Sequence, residues 1–475
     1  MVKIKKDIQQ AIEYLKKAEI TALKCPYRPS YHFRSIANWM NDPNGPIFYN
    51  GEYHLFYQHY PFKDDLKPDQ FWEMSWGHAK SSDLVHWEHL PIALMPSHEK
   101  GEDGCWSGTC VLNNGVPTII YTSVSKQKSP HDYAELWMAT SKDGMTTWDK
   151  YINNPILTLE ESSQFEIHDW RDPFIWKEND EWFMIIGGHE HVSSSNSHGV
   201  ILLYRSTDLF DWKFKRVFCK GTRKLGRGWE CPIFITVGDN HILIVSPFKE
   251  VMYAIGDYNN HSFTPNTWKI LDHGKCFYAS NSFLDNNQRR ILWGWIKGGG
   301  SGGWSGCLSL PRILECDKNQ DLHITPAEEL QKLRESHFQF KNRIITESSD
   351  LLLGNFPDLT LELIATFELS RNEIFGFKLF LEEQKEGGRI EYNVNKCKVT
   401  IGDEIGTLNK NYNSNNIMFH IFIDKSVVEV FINYQECITS KIFFEYKKSN
   451  GFSIYSKQGS LNLKKLDIWT LKKIW

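Results

Sequence analysis

From about Ile36 to Leu314 the apolar residues come in short runs, each closed by Gly, Asn, Asp or Pro. GPIFYNGEYHLFYQHY (45–60), VPTIIYTSV (116–124), DEWFMIIGGH (180–189), HILIVSPF (241–248) and RRILWGWI (289–296) are examples. Each has the length of a strand or a hairpin and is rich in β-branched and aromatic residues, so the pattern predicts strands. The runs follow one another too closely for helical crossovers, which excludes a sheet of βαβ units. Three segments add a repeat: SSDLVHW (81–87), SKDGMTTW (141–148) and STDLFDW (206–212) each set Ser, a nearby Asp, a turn and Trp after a strand-like stretch. Recurrence every 60–65 residues is the interval of a propeller of four-stranded blades, with room here for about four or five.

Beyond residue 345 the texture changes. DLTLELIATFEL (357–368), FGFKLFLEE (375–383), RIEYNV (389–394) and IMFHIFIDKSVVEVFIN (417–433) alternate apolar and polar residues, the pattern of a two-sheet β-sandwich. Between the two regions TPAEELQKLRES (325–336) reads as a helical linker with a capped start. Ile8, Ile12 and Leu15 stand at helical spacing near the beginning of the chain, which predicts an amphipathic helix packed on the body. The expected organisation is all-β: a helical extension (1–30), a propeller (31–324), a linker (325–344) and a sandwich (345–475).

Charge narrows the function classes. Lys and Arg number 54 against 58 Asp and Glu, a formal net charge of −4, so a nucleic-acid partner or an anionic membrane surface is not expected. The opening segment has no continuous apolar run and reads as neither a signal peptide nor a membrane span. Ten cysteines are scattered without a CxxC pair, which suits free thiols in a reducing compartment; a cytoplasmic location is the expectation. Aromatic residues make up 14% of the chain, enough to wall a sugar pocket as well as fill a core.

Three acidic clusters stand out in the first domain: Trp39-Met-Asn-Asp-Pro-Asn-Gly45, Trp170-Arg-Asp-Pro173 and Trp229-Glu-Cys-Pro232. Pro and Gly after Asp42 predict a tight turn that presents this carboxylate. Asp172 and Glu230 are 58 residues apart, and Asp42 and Asp172 are 130 apart. These are about one and two of the repeats, so the three would point into one central channel. Glycosidic cleavage needs one ionised carboxylate and one carboxylic acid. Trp229, Cys231 and Pro232 around Glu230 predict a raised pKa suited to an acid, and Arg171 predicts an Asp172 that stays charged. No nucleophile elbow, phosphate loop or dinucleotide fingerprint competes, and the histidines form no evident metal set.

The ordered series WMNDPNG (39–45), YHLFYQ (53–58), WGHAKSSDLVHWEHLPIAL (76–94), WSG (106–108), WRDP (170–173), WECP (229–232), FYASNSF (277–283), RRILWGW (289–295), GWSGCLSLPR (303–312) and FIDKSVVEVFIN (422–433) resembles the β-fructofuranosidase family of glycoside hydrolases, which includes invertases, sucrose-6-phosphate hydrolases, levanases and inulinases. The resemblance implies a five-bladed propeller with an appended sandwich. It also implies a retaining hydrolase that releases a terminal non-reducing β-D-fructofuranosyl unit from sucrose, sucrose 6-phosphate or a short fructoside. In that mechanism Asp42 attacks, Glu230 serves as acid and then base, and Asp172 stabilises the transition state. Asn41, Gln58, Trp72, Trp76, Trp106, Ser107, Arg171 and Tyr278 become candidate substrate contacts; no cofactor or metal is implied.

Two positions depart from the family pattern. Its DFYA reads Cys276-Phe-Tyr-Ala279, and its ECPD reads Glu230-Cys-Pro-Ile233. Asp272 is the candidate to replace the carboxylate lost at Cys276, and an altered preference for the leaving group is expected. Lys275 is a candidate phosphate contact, though an exposed turn lysine reads the same way. The alternatives share parts of this machinery: a fructan exohydrolase, a transfructosylase using the same fructosyl-enzyme, an inverting hydrolase of another five-bladed family, or a non-catalytic carbohydrate-binding propeller. The last would be expected to have lost one of the three acids. The sandwich offers faces and edges for a homo-oligomer.

Overall fold

The computed structural model describes residues 2–128, 133–159, 166–193, 196–299, 302–370, 373–381, 386–408, 415–444 and 451–475. Five antiparallel sheets follow one another between Asn38 and Pro326. Each begins with its innermost strand: β1 (Asn38–Tyr49), β2 (Gly104–Asn113), β3 (Ile167–Glu178), β4 (Glu230–Val237) and β5 (Phe277–Leu284). Neighbouring members of this set pack on one another and β5 returns to β1, so the sheets form a closed ring of five blades. The short strand Trp304–Ser305, from the chain between the second and third strands of the fifth blade, joins the first sheet by parallel pairing with Asn38 and Trp39 of β1. That pairing ties the end of the ring to its start and leaves no open edge there.

The Ser-Asp-Trp repeat has one structural meaning. In blades one to three it is the outer turn between the third and fourth strands. The Ser hydroxyl bonds the Asp carboxylate in each: Ser81–Asp83 at 3.3 Å, Ser141–Asp143 at 3.0 Å and Ser206–Asp208 at 3.0 Å. A left-handed residue follows every time, Leu84, Met145 and Leu209. Blade four makes the same connection by a two-residue hairpin after Asn259, so the repeat stops at three.

Helix α1 (Val2–Ala22) buries Ala11, Leu15 and Ala22 against Ile92, Met95 and Trp304. The second domain is two six-stranded antiparallel sheets around a core that includes Phe367, Phe375, Phe377, Phe419 and Ile421. The expected linker is different. Only Glu328–Leu333 is helical, as a short 3₁₀ turn, and Arg334–Ile345 is strand β6, paired with Leu461–Leu471. Its period-two His337-Phe-Gln-Phe340 pattern and the waiting C-terminal strand outweigh the helix formers before it. No helix among the described residues is long and apolar enough to cross a membrane.

The two domains are joined by buried charges. His32 lies between Asp424 (2.9 Å) and Glu429 (3.0 Å) of the sandwich. Burial opposes its charge, but the two carboxylates prevail and raise its pKa to about 9. Arg312, 1% exposed, pairs with Asp272 at 2.8 Å on the propeller and with Glu429 at 2.6 Å on the sandwich. The backbone N–H groups of Ser30, Tyr31 and His32 all donate to Asp424. Removing one member of such a network strands its partners in a low dielectric. Arg312→Met is therefore expected to destabilise the protein by about 3–5 kcal/mol, read as a lowered denaturant midpoint; an unchanged midpoint would mean that the interface does not depend on this ion pair.

Candidate active site

All five inner strands carry the same irregularity at the same depth. Two residues on the inner strand oppose one on its neighbour: Asn41-Asp42 face Gln58, Trp106-Ser107 face Thr122, Asp172-Pro173 face Ile186, Cys231-Pro232 face Val245 and Ala279-Ser280 face Gly294. Such a bulge interrupts side-chain alternation and re-aims the residues around it. Asp172, Cys231 and Ala279 adopt left-handed backbone, with φ of 64°, 45° and 45°. Pro173 and Pro232 fit because a bulged residue owes no ladder hydrogen bond, while Pro43 follows its bulge and stands opposite Tyr57. The tight turn expected after Asp42 is thus a bulge, and β1 continues to Tyr49. Gly45 is needed where β1 meets β2: its φ is +43°, and a Cβ there would lie 2.8 Å from the Cys110 nitrogen.

The bulges surround a cavity of about 240 Å³ lined from every blade, by Asn41, Asp42, Trp106, Ser107, Arg171, Asp172, Glu230, Cys231 and Tyr278, with Gln58 and Trp295 from second strands. The three acids converge here, from blades one, three and four. Asp42 accepts from Ser107 Oγ at 2.7 Å and from Asn41 Nδ2 at 3.0 Å. Burial raises its pKa, and these two donors oppose the rise. Asp172 Oδ2 accepts the Cys231 N–H at 2.9 Å, and the Cys231 thiol lies 3.5 Å from both Asp42 and Asp172.

Glu230 is held differently from the apolar setting expected for it. Its Oε1 accepts from Arg171 Nη2 and its Oε2 from Tyr278 Oη at 2.5 Å. Trp229 turns away into the core, where a Cβ on Gly199 would come within 2.3 Å of its ring. Arg171 lies only 3.9 Å from Asp172 through Nε, because its fork is spent on Glu230 and on Tyr133. Asp172 does not stay low, as its neighbour in sequence suggested: burial, helped by Glu230 and Asp42, outweighs Arg171 and raises it to about 7.

Other expected contacts divide into wall and support. Gln58 lines the cavity and donates to the Cys105 carbonyl at 3.0 Å. Trp106 lines it too, with the Arg171 guanidinium 5.6 Å from its ring centre. Trp72 stands behind Trp106 at 5.4 Å, and Trp76 is fully buried with its indole N–H on the Trp106 carbonyl. Neither lines the cavity. Asp272 is 0% exposed and bound to Arg312, Thr439 and the Gly274 N–H, so it is an interdomain residue and not a sugar contact. Cys276 lies in an apolar cluster with Ile296, Cys307 and Val427, its thiol on the Thr439 carbonyl; an effect on the leaving group through this position is not supported. Lys275 is exposed, and its N–H donates to Glu404 of the sandwich. Trp39, Phe71, Met74, Cys231 and Trp295 also line the cavity although residue reasoning did not select them. Trp39 and Trp295 lay inside quoted motifs, whereas Phe71 and Met74 come from an irregular segment with no local signal.

A larger cavity of about 550 Å³ opens between the outer part of blade four and the sandwich. Its charges neutralise each other, Lys269 with Asp321 at 3.0 Å and His273 with Glu436 at 2.9 Å, and the three acids are elsewhere.

The pattern for the N-terminal domain of glycosyl hydrolases family 32 matches residues 32–326, and that for its C-terminal domain matches residues 329–470. The chain belongs to glycosyl hydrolase family 32. It is 33% identical to a sucrose-6-phosphate hydrolase of Zymomonas mobilis subsp. mobilis, over 98% of this chain and 96% of the relative. A sucrose-6-phosphate hydrolase of Escherichia coli is 34% identical over 94% and 95%. Among solved structures, a β-fructofuranosidase of Bombyx mori superposes with a TM-score of 0.81 at 26% identity, covering 99% of both chains.

The raised Asp172 pKa has a stability consequence. Its folded value of about 7 lies above the ordinary 3.8, so its favourable contribution is complete below 3.8 and is lost as pH rises through 7. Asp172→Asn removes that loss while keeping an oxygen for the Cys231 N–H. The variant should gain stability over wild type on going from pH 5 to pH 8, by on the order of 2 kcal/mol; a pH-independent difference in denaturant midpoints would refute the buried, raised carboxyl.

Proposed function

We propose that this family 32 chain is a retaining β-fructofuranosidase that releases terminal β-D-fructofuranosyl units from sucrose, sucrose 6-phosphate or a short fructoside. The observation that carries the reading is the convergence of Asp42, Asp172 and Glu230 in one cavity lined from all five blades. Asp42 is oriented by two hydrogen bonds and serves as nucleophile at C2, forming a fructosyl-enzyme. Glu230 protonates the departing oxygen, then takes a proton from the water that releases fructose. Asp172 holds fructose hydroxyls through Oδ1, which has no hydrogen-bond partner among the described residues.

The electrostatics suit this assignment. Burial, with a smaller push from the neighbouring acids, raises the cost of ionising Asp42 and Asp172. An oxocarbenium-like transition state brings positive charge among them and relieves that cost, so the acids bind it more strongly than the neutral ground state. Arg171 and Tyr278 fix Glu230 toward one side of the cavity, which becomes the side of the leaving group. The ten cysteines are all unpaired, which supports a reducing, cytoplasmic setting.

Asp42→Asn and Glu230→Gln should each lower kcat on sucrose or sucrose 6-phosphate by at least about 10²-fold with unchanged thermal unfolding, and NMR of the first product should show β-fructofuranose. Wild-type turnover in either variant, or an α-anomer released first, would sink the mechanism.

A further inference from the structure

Glu230 is aimed in part by Arg171, whose guanidinium is planar, so fixing one of its nitrogens fixes the direction of the others. Nη2 donates to Glu230, Nη1 donates to Tyr133 Oη at 2.9 Å, and Nε faces Asp172 at 3.9 Å. Nη1 also lies 3.2 Å from Oδ1 of Asp169, a carboxylate to which the reaction above gives no role. Asp169 stands two residues before Arg171 on β3 and does not line the cavity.

The Asp169 carboxylate is itself firmly placed. Tyr133 Oη donates to its Oδ1 at 2.9 Å, so one hydroxyl accepts from Arg171 and donates to Asp169. His189 Nδ1 lies 3.4 Å from its Oδ2, and the His189 ring stacks on that of His168 with centres 5.2 Å apart and planes within 9°. Burial opposes the Asp169 charge, but His189, Arg171 and Tyr133 prevail and hold its pKa well below the usual carboxylate range. Its backbone is left-handed, with φ of 53°, a conformation that Asp and Asn both enter more readily than other side chains.

Asp169, Asp172 and Glu230 thus compete for one buried guanidinium. Without the Asp169 charge, Nη1 keeps only a neutral hydroxyl, and a turn of the fork toward Asp172 would take Nη2 away from Glu230. The cost of that turn falls on one step of the proposed reaction. There an Asp42 oxygen bonds C2 and the C2–oxygen bond to the leaving sugar breaks. The electron pair stays on the departing oxygen, which takes the Glu230 proton. A misdirected Glu230 matters only as far as the departing group needs that proton.

We propose that Asp169 is a positioning residue: by anchoring Nη1 of Arg171, directly and through Tyr133, it keeps Nη2 on Glu230 and so aims the acid at the departing oxygen. The proposal rests on the fructosidase reading and adds a residue to its machinery. The test is kcat/KM for sucrose and for β-D-fructofuranosyl fluoride, in wild type, Asp169→Asn and Tyr133→Phe. Fluoride leaves as a stable anion with the C2–F electron pair and needs no proton from Glu230. Asp169→Asn keeps the size and the backbone preference of the residue and removes its charge. It should lower kcat/KM on sucrose about tenfold or more, through kcat with KM little changed, while the value on the fluoride stays within about threefold of wild type. Tyr133→Phe should move the ratio of the two substrates in the same direction, and it carries the test if Asp169→Asn does not fold. An equal loss on both substrates would mean that Asp169 only supports the fold, and no loss on sucrose would mean that Arg171 holds Glu230 unaided; either overturns the proposal. Release of fructose from neither substrate by wild type overturns the fructosidase reading itself, and the role of Asp169 with it.

Discussion

A regular β-strand shows alternate residues to alternate faces, and a ring of five such strands would aim only every second side chain at its axis. The site exists because each inner strand breaks that rule once, at the same depth. Four of the five bulges bring side chains from adjacent chain positions to one opening, Asn41 with Asp42, Trp106 with Ser107, Arg171 with Asp172, and Glu230 with Cys231, and the fifth strand adds Tyr278 alone. Left-handed backbone at Asp172, Cys231 and Ala279 is the local cost, on the order of 1–2 kcal/mol per residue. Pairing of Trp304–Ser305 with Asn38 and Trp39 ties the end of the ring to its start.

Convergence produces the chemistry and also limits it. Burial, with a smaller push from the neighbouring acids, raises Asp42 and brings Asp172 to about 7, and one guanidinium, from Arg171, is shared among Tyr133, Asp169, Asp172 and Glu230. Asp42 receives two donors, Glu230 is tethered by Arg171 and Tyr278, and Asp172 Oδ1 has no hydrogen-bond partner among the described residues.

Among the described residues the sandwich contributes no side chain to this cavity, but it determines what happens at its back. Asp272 and Cys276 precede Tyr278 by a few residues, yet both face the sandwich, one on Arg312 and Thr439 and the other on the Thr439 carbonyl. The substitution of Cys for the family's Asp at 276 therefore belongs to domain docking.

The sequence alone carried the strands, the two all-β domains, the family and the three acids, because short apolar runs, Ser-Asp-Trp turns and the WMNDPNG, WRDP and WECP segments are local or nearly local patterns. It also carried the blade spacing of Asp42, Asp172 and Glu230. What it misplaced was decided by contacts between distant parts of the chain. The segment 334–345 became a strand because Leu461–Leu471 waits to pair with it. Trp76 became core and Asp272 an interdomain anchor because partners far along the chain, Trp106 and Arg312, claim their polar atoms. Arg171 follows the same rule: adjacent to Asp172 in the chain, it spends its guanidinium on Glu230, 59 residues away. Chain neighbours set backbone geometry, but burial and hydrogen bonding are properties of the folded environment, so which carboxyl keeps its charge was settled only in three dimensions.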